Sequence, residues 1–416
     1  MHVTEQGRPR LTIVGSGGQP YREYCYQSLA GDYALSAVLP AEPTWQREYL
    51  TDHRVVDCTD PDAIAAALAE LAPEQGPSGV FTWDELVLEA TALACEKLGL
   101  PHMSSAAVAR CRDKYATRSL MAGAGLPSAA HRLVSSADEA VAAAEEFGFP
   151  VVVKPRSLAG SIGVVRAEDA AAVRAAFELA TGAAYATLPA GEGILVEEYL
   201  DGPEISVDSV VFEGVVHCVH VAQKRLGFPP YFEEVGHLVT AATPDALPQE
   251  VAELVRAAHR TLGVDYGVTH AEVRLTTAGP RLVELNARLG GDLIPLISRM
   301  ATGIDLVKAA AEIALGHDPE PVTRGGGGGG TAEVRFVYPP HDCTVRSVDL
   351  TAAGSVPGIV HTAALAGPGT QLLLPPKNPI PRLAALIAVA GDEAGTGRAL
   401  DLAQERVVAD VEPLTG

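Results

Sequence analysis

The chain has 416 residues, 47% of them hydrophobic, enough for two to four domains with ordinary cores. Its 31 basic and 52 acidic residues give a formal net charge of −21, which argues against a nucleic-acid or anionic-membrane surface and leaves any phosphate-bearing ligand to a few placed cations and backbone amides. No run approaches the 18 apolar residues of a membrane span, MHVTEQGRPR lacks the basic and apolar regions of a signal peptide, and the six cysteines are scattered without a CxxC pair. The expectation is a cytoplasmic protein with reduced thiols.

LTIVG, ALSAVLP, HRVVD, DAIAAALAEL and GVFTW alternate strand-like and helix-like runs, as an open α/β sheet over residues 1–105 does. GSGGQP departs from GxGxxG, and no acidic residue is placed for a ribose, so a dinucleotide site is set aside. TWDELVLEATALACEKLGLP puts Thr82 and Glu85 in capping-box spacing, ahead of an expected apolar helical face of Leu86, Ala90, Leu93, Ala94 and Leu98. Glu85 is therefore either a helix cap or a carboxylate facing a cleft, able to bind a substrate amine. Arg112, Lys114 and Arg118 follow as a cluster that a solvated helix face explains equally well.

Ser136 with Glu139 marks the next helix start. VVVKPRSLAGSIGVVRA then presents Lys154 at a strand end, a Ser/Gly loop, and a second strand from about Val164. It is not GxxxxGK[ST], and no helix follows, so a P-loop is excluded. A hairpin loop can still wrap a phosphate: Gly160 and Gly163 let amides approach, Ser157 and Ser161 can donate, and Lys154 supplies charge. GILVEEYLDGPEISVDSVVF reads as a hairpin with Glu204, Ser206 and Asp208 on one face. QKRLGFPPYFEEVGHLVTAATP, dense in Lys224, Arg225, Tyr231, Glu233, Glu234 and His237, reads as a long Gly/Pro-punctuated loop, of a kind that is either functional or disordered.

After an amphipathic helix, HAEVRL (270–275) and RLVELNARLGGD (281–292) flank the turn cluster TTAGP, the pattern of a β-hairpin. Alternation puts Glu284 and Asn286 on one face and Val283 with Leu285 on the other. A turn centred near Ala278 sets Glu272 opposite Glu284, Cβ atoms about 5 Å apart. Two facing carboxylates and an amide oxygen form a hard, oxygen-only set suited to Mg²⁺, which usually shares phosphate oxygens. Helix-like runs close the unit, Gly325 to Gly330 form a spacer, and the last module alternates short strands with a helix-like pattern at Ile380 to Ala390 that shows no chemistry of its own.

RDK, VVVKPRSLAGSIGV, VEEYLDGPEISVD, HAEVRL and VELNARLGGD, in this order and spacing, resemble the ATP-grasp carboxylate–amine ligases over nearly the whole chain, most of all the L-amino-acid (dipeptide) ligases of the bacilysin-synthesis type. The resemblance implies an α/β (α+β) ATP-grasp fold. Its parts are an N-terminal open α/β pre-ATP-grasp domain (1–105), an ATP-grasp domain (106–324) with a mobile lid at about 117–199, and a β-rich C-terminal domain (331–416). It implies ATP and two Mg²⁺ ions, with Mn²⁺ able to substitute, small-molecule carboxylate and amine substrates, and allows a homodimer.

By the same resemblance, Lys114 and Lys154 contact the ATP phosphates under a mobile loop from Ser157 through Ser161 and Ile162 to Gly163. Glu197 and Leu200 face adenine, and Glu204 the ribose. Glu272, Glu284 and Asn286 bind the metal, and Arg288 stabilises the transferred phosphoryl group. Glu234 and His237 contact amino-acid substrates, and Glu85 a substrate amine. Asp292 stands where some relatives carry bulkier or apolar residues, and a carboxylate there favours a cationic group. Two other readings stay open: a purine-synthesis or biotin-carboxylase type of ATP-grasp enzyme using formate or bicarbonate, and a nucleotide-binding module without catalysis.

Overall fold

Short apolar runs ended by glycine or polar residues build the first sheet. Its elements are β1 (Arg10–Val14), α1 (Gln19–Leu29), β2 (Ala34–Leu39), β3 (Asp52–Val55), α2 (Pro61–Leu71), β4 (Gly79–Phe81) and α3 (Leu88–Leu98). The strands run parallel in the order β3-β2-β1-β4, with helices between them, as the alternating pattern predicts. The computed structural model describes residues 8–71, 79–185, 188, 191–241, 247–323, 329–378 and 380–414; the N-terminal MHVTEQG and most of the glycine spacer (Gly325 to Gly328) lie outside them.

The capping box expected at Thr82 does not form. Thr82 Oγ1 accepts from Asp84 N at 2.9 Å and Asp84 Oδ1 accepts from Leu86 N at 3.1 Å, so these side chains close turns of their own and the helix waits until Leu88. Its buried face is then Leu88, Thr91, Ala92, Ala94 and Cys95, while Leu98 is 40% exposed. Glu85 is left in the turn, free of any capping role.

Residues 105–198 form α4 (Ser105–Arg112), α5 (Lys114–Gly123), β5 (His131–Val134), α6 (Ala137–Phe147), β6 (Val151–Pro155), β7 (Val165–Ala167), α7 (Ala170–Gly182) and β8 (Ile194–Glu198). The four strands make an antiparallel sheet, β5-β8-β6-β7, whose valines pack on α6 and α7. α6 starts where the sequence marks it: Ser136 Oγ accepts from Glu139 N at 3.2 Å.

β9 (Glu204–Phe212), β10 (Val215–Gly227), β11 (Glu233–Thr240), α8 (Gln249–Leu262), β12 (Gly267–Thr276), β13 (Gly279–Asn286), α9 (Ile294–Thr302), α10 (Leu306–Ala314) and the short α11 (Glu320–Thr323) come next. The rest is β14 (Thr331–Val337), β15 (Cys343–Asp349), α12 (Thr351–Gly354), β16 (Ile359–Ala364), β17 (Gln371–Leu372), β18 (Ala384–Ala390), α13 (Glu393–Gln404) and β19 (Val408–Pro413). One eight-stranded sheet, β13-β12-β9-β10-β11-β14-β18-β16, takes strands from both stretches, and β17-β15-β19 makes a small fourth sheet.

Strand alternation gives the large sheet two characters. Ile205, Val207, Val211, Ala271, Val273 and Leu285 pack in a core with α8. On the other face Val210 and Val268 join the α9–α10 core, and Glu204, Asp208, His270 and Glu272 occupy the remaining positions of the same strands.

Three local expectations change. β8 and β9 belong to different sheets, so residues 199–203 are a crossing between sheets and not a hairpin turn. The polar stretch 223–240 is two paired strands joined by a short turn at 228–232, because its charged residues line a cleft and so escape the apolar signature of a strand. Within the run at 380–390, residues 384–390 form strand β18, hydrogen-bonded on both sides by β14 and β16; a run of that length does not by itself distinguish a buried strand from a helix.

Leu285 is fully buried in the α8 core. Leu285→Ala is expected to lower unfolding stability by about 2–5 kcal/mol in urea titration; a loss under about 1 kcal/mol would show that the hairpin is not anchored there.

Candidate active site

β12 and β13 pair Glu272 opposite Glu284 and His270 opposite Asn286, the register the sequence predicts. The turn itself closes between Thr276 and Gly279, and a bulge at Val283 restores the register beyond it. The bulge has two effects. Leu282 and Leu285 both enter the core while Val283 joins Glu284 in the cleft, correcting the expected sharing of a face by Val283 and Leu285. The Val283 carbonyl accepts from Arg118 Nη2 at 2.6 Å.

Lys114, Lys154, Ser161, Glu197, Leu200 and Glu204 line one cleft together with Tyr199, Phe232, Glu272 and Glu284. Lys154 Nζ lies 2.6 Å from Glu197 Oε2, and Arg118 Nε 2.8 Å from Glu197 Oε1. Burial alone would push the Glu197 carboxyl up; Arg118 and Lys154 outweigh it and hold it at about 2. Lys114 Nζ donates to Leu158 O at 2.6 Å and to Glu284 at 3.1 Å, tying the Ser/Gly loop to the hairpin. Glu204 sits between Lys224 and Arg274, 2.8 Å from each.

The loop residues divide. Gly160 and Ser161 border the cleft, and Ile162 packs with Leu158 and Leu188. Ser157 lines neither cleft described here and lies beside Gly191. Gly163 is a packing position: at φ +72°, a Cβ would stand 2.8 Å from Ala183 Cβ and 2.9 Å from Pro155 Cγ.

A second cleft of about 940 Å³ shares Gly160, Glu272 and Glu284 with the first and is lined further by Glu85, Ile162, Glu234, His270, Asn286, Arg288 and Asp292. The two form one trough meeting at the paired carboxylates. Lys224 Nζ reaches Glu204 at 2.8 Å, Glu272 at 2.9 Å and Glu234 at 3.1 Å. Burial and the neighbouring carboxylates Glu204, Glu234 and Glu284 still push the Glu272 carboxyl up against the pull of Lys224. That crowding, together with an adjacent amide oxygen, is the electrostatic setting a hard divalent cation fits.

Arg288 Nε lies 2.5 Å from Glu85 Oε2, and Arg112 Nε 3.3 Å from Glu85 Oε1, so Glu85 already has a cation on each oxygen. His270 Nδ1 is 2.7 Å from buried Asp208. The pair packs under Gly290, where a Cβ would stand 2.9 Å from His270 Nδ1, and Arg22 Nη1 holds the Gly290 carbonyl at 3.2 Å. The loop carrying Arg288 and Asp292 is thus braced from the sheet and from α1.

Beyond it, His237 Nε2 lies 3.1 Å from Glu234 Oε2 and 3.4 Å from Asp292 Oδ2. Asp292 is not the free anion its sequence position suggests: Arg382 binds both its oxygens at 2.7 Å. Burial would push this carboxyl up, but Arg382 and His237 hold it far below the usual range. Arg382 comes from the module in which the sequence shows no chemistry, and stacks 3.6 Å from the Phe336 ring centroid. It was missed because a single arginine after a proline-rich turn carries no motif. Lys224 and Arg118 were hidden as members of an apparent loop and of an apparently solvated helix face.

Residues 147–295 match the ATP-grasp domain family and residues 40–102 the ATP-grasp N-terminal domain family. The chain belongs to the ATP-grasp superfamily. Its fold is that of the L-amino acid ligase from Bacillus licheniformis, with a TM-score of 0.80 and 20% identity over 97% of this chain and 99% of that one. It is related in sequence to human carnosine synthase 1, 30% identical with 76% of this chain aligned, and to alanine–anticapsin ligase of Bacillus subtilis (strain 168), 25% identical with 62% aligned. It spans 40% and 58% of those two proteins. ATP-grasp enzymes use ATP and Mg²⁺, and the relatives named here are ligases.

The Glu197 cluster makes a pH prediction. A carboxyl held at about 2 when folded, against an ordinary 4.5, contributes stability that is present above pH 4.5 and lost as pH falls toward 2. Urea midpoints taken from pH 6 to pH 3 are expected to fall more steeply in the native protein than in Glu197→Gln; parallel slopes would contradict the burial of this ion cluster.

Proposed function

We propose that this ATP-grasp protein is an ATP-dependent carboxylate–amine ligase that activates an amino-acid carboxylate as an acyl phosphate and passes the acyl group to an amine. The observation that supports it most is the junction of the two clefts, where Glu272, Glu284 and Asn286 meet beside Arg288 with Lys114 and Lys154 on the nucleotide side. The polar side chains Glu85, Glu234 and Asp292 that line the second cleft beside Arg288 favour an amino acid over formate or bicarbonate, which carry no amino group for them to meet.

In this reading Lys114 and Lys154 neutralise phosphate oxygens, and the backbone from Glu197 to Leu200 faces adenine while Glu204 takes the ribose. Glu272, Glu284 and Asn286 would hold Mg²⁺, which would offset charge on the phosphates. Arg288, kept in place by Glu85, points its guanidinium at the transferred phosphoryl group. The substrate carboxylate oxygen attacks the γ-phosphorus, ADP leaves, and the acyl phosphate forms. A neutral amine then attacks the acyl carbon, phosphate departs with the original carboxylate oxygen, and the amine's proton is released. The sheet β5-β8-β6-β7 and its Ser/Gly loop act as the lid that keeps water from the acyl phosphate.

Incubation with ATP, Mg²⁺ and pairs of amino acids is expected to give ADP and phosphate in amounts matching a new amide, with no AMP. Glu284→Gln is expected to lower turnover at least about a hundredfold with an unchanged circular-dichroism spectrum. ADP release that ignores every amino acid, or a fully active Glu284→Gln, would refute the ligase reading.

A further inference from the structure

Beside its charged groups, the second cleft has a largely apolar wall of Ala159, Ile162, Tyr185, Ile294 and Ile380. The first three come from the lid stretch, Ile294 from the start of α9, and Ile380 from the loop that leads into β18. Ile162 and Ile294 are covered by their neighbours, whereas Tyr185 is 38% exposed and Ala159 and Ile380 are half-buried. Nothing in the phosphoryl-transfer chemistry uses this wall, and apolar surface left facing a cleft gains by being covered.

Ile380 is held there against its own backbone preference. Its φ is +55°, a left-handed conformation that a β-branched residue rarely adopts. Hydrogen bonds on both sides fix it. The Ile380 amide donates to the Glu233 carboxylate, to which Tyr338 Oη also donates at 2.7 Å. The Ile380 carbonyl accepts from Arg382 N at 2.9 Å, and the Arg382 side chain is itself anchored on both oxygens of Asp292. In this pose the side chain reaches the Ser/Gly loop: a Cβ at Gly160 would stand 3.4 Å from Ile380 Cδ1. A strained residue persists only where its surroundings over-determine it, and such residues cluster where ligands are clamped.

We propose that Ile380 is a specificity-determining residue of the second cleft: by spanning from the C-terminal module to the Ser/Gly loop, its side chain sets the length of the aliphatic side chain that the bound amino acid can carry. Glu233 is the positioning residue that holds the Ile380 amide. The substrate class is then an α-amino acid with an aliphatic side chain of limited length, lying along Ala159, Tyr185 and Ile380. The inference rests on the ligase reading for the amino acid in the cleft, but its test reads binding and needs no turnover.

Isothermal calorimetry on the whole protein with Mg²⁺ and the non-hydrolysable analogue AMP-PNP is run with alanine, 2-aminobutyrate, norvaline, norleucine and 2-aminoheptanoate, a series that grows by one methylene at a time. In the native protein affinity is expected to rise by about fourfold per methylene and then to fall at least about tenfold at the first chain too long for the wall. Ile380→Ala moves that break at least one methylene further, while AMP-PNP affinity, the check on folding, stays within about threefold. Ile380→Gly, which adopts the left-handed backbone freely, repeats the comparison without the strain. Glu233→Ala moves the break in the same direction, and Glu233→Gln, which keeps an oxygen for the amide, leaves it at the native length. No binding in the series, affinity flat with length, or a break at the same length in native and Ile380→Ala protein would overturn the inference. So would loss of AMP-PNP affinity in both Ile380 variants, which would make the residue a structural one. A break unmoved in Glu233→Ala would overturn the part given to Glu233. A break that shifts with Ile380 but no ADP release with any amino acid would support the inference and sink the ligase reading alone; ADP release with a break indifferent to Ile380 would do the reverse.

Discussion

The trough gathers Glu204, Glu234 and Glu272 within reach of one another, and Lys224 is the one cation among the described residues that contacts all three. Its ammonium lies 2.8–3.1 Å from all three. Burial would strip its proton, and the three carboxylates overrule burial and raise its pKa well above the usual value. Through this one group the ribose, metal and substrate regions of the proposed site are linked. Removing a partner from such a cluster leaves an uncompensated buried charge, which costs far more than a surface ion pair contributes. The same pattern recurs around it, with Glu197 between Arg118 and Lys154, Glu85 between Arg288 and Arg112, and Asp292 on Arg382.

Much of the hairpin was legible because alternation and a turn signal are local facts. Glu272 and Glu284 pair as their spacing predicts, although the turn is shorter than expected and a bulge at Val283 makes up the difference. Ser136 caps α6 for the same local reason. Thr82 misled because its hydroxyl found a closer amide at Asp84, leaving Glu85 for Arg288.

What sequence could not show is which distant strands meet. Lys224 on β10, Glu204 on β9 and Glu272 on β12 become neighbours only through a sheet order that shuffles the chain. The polar strands β10 and β11 looked like a loop because the site itself removes their apolar periodicity. β18 looked helical because a strand buried on both faces has no alternation to lose. With β18 in the large sheet, the C-terminal module is hydrogen-bonded to the rest through β14, and Arg382 stands just ahead of it, over the Asp292 loop.

The path of the carboxylate oxygen is the central chemical claim. An amino acid found to support ADP formation, labelled with ¹⁸O in its carboxylate, is incubated with the protein, ATP, Mg²⁺ and an amine acceptor, and the inorganic phosphate is examined by mass spectrometry. Activation as an acyl phosphate predicts one ¹⁸O atom in each phosphate released with amide. Unlabelled phosphate, or label recovered in AMP, would contradict it.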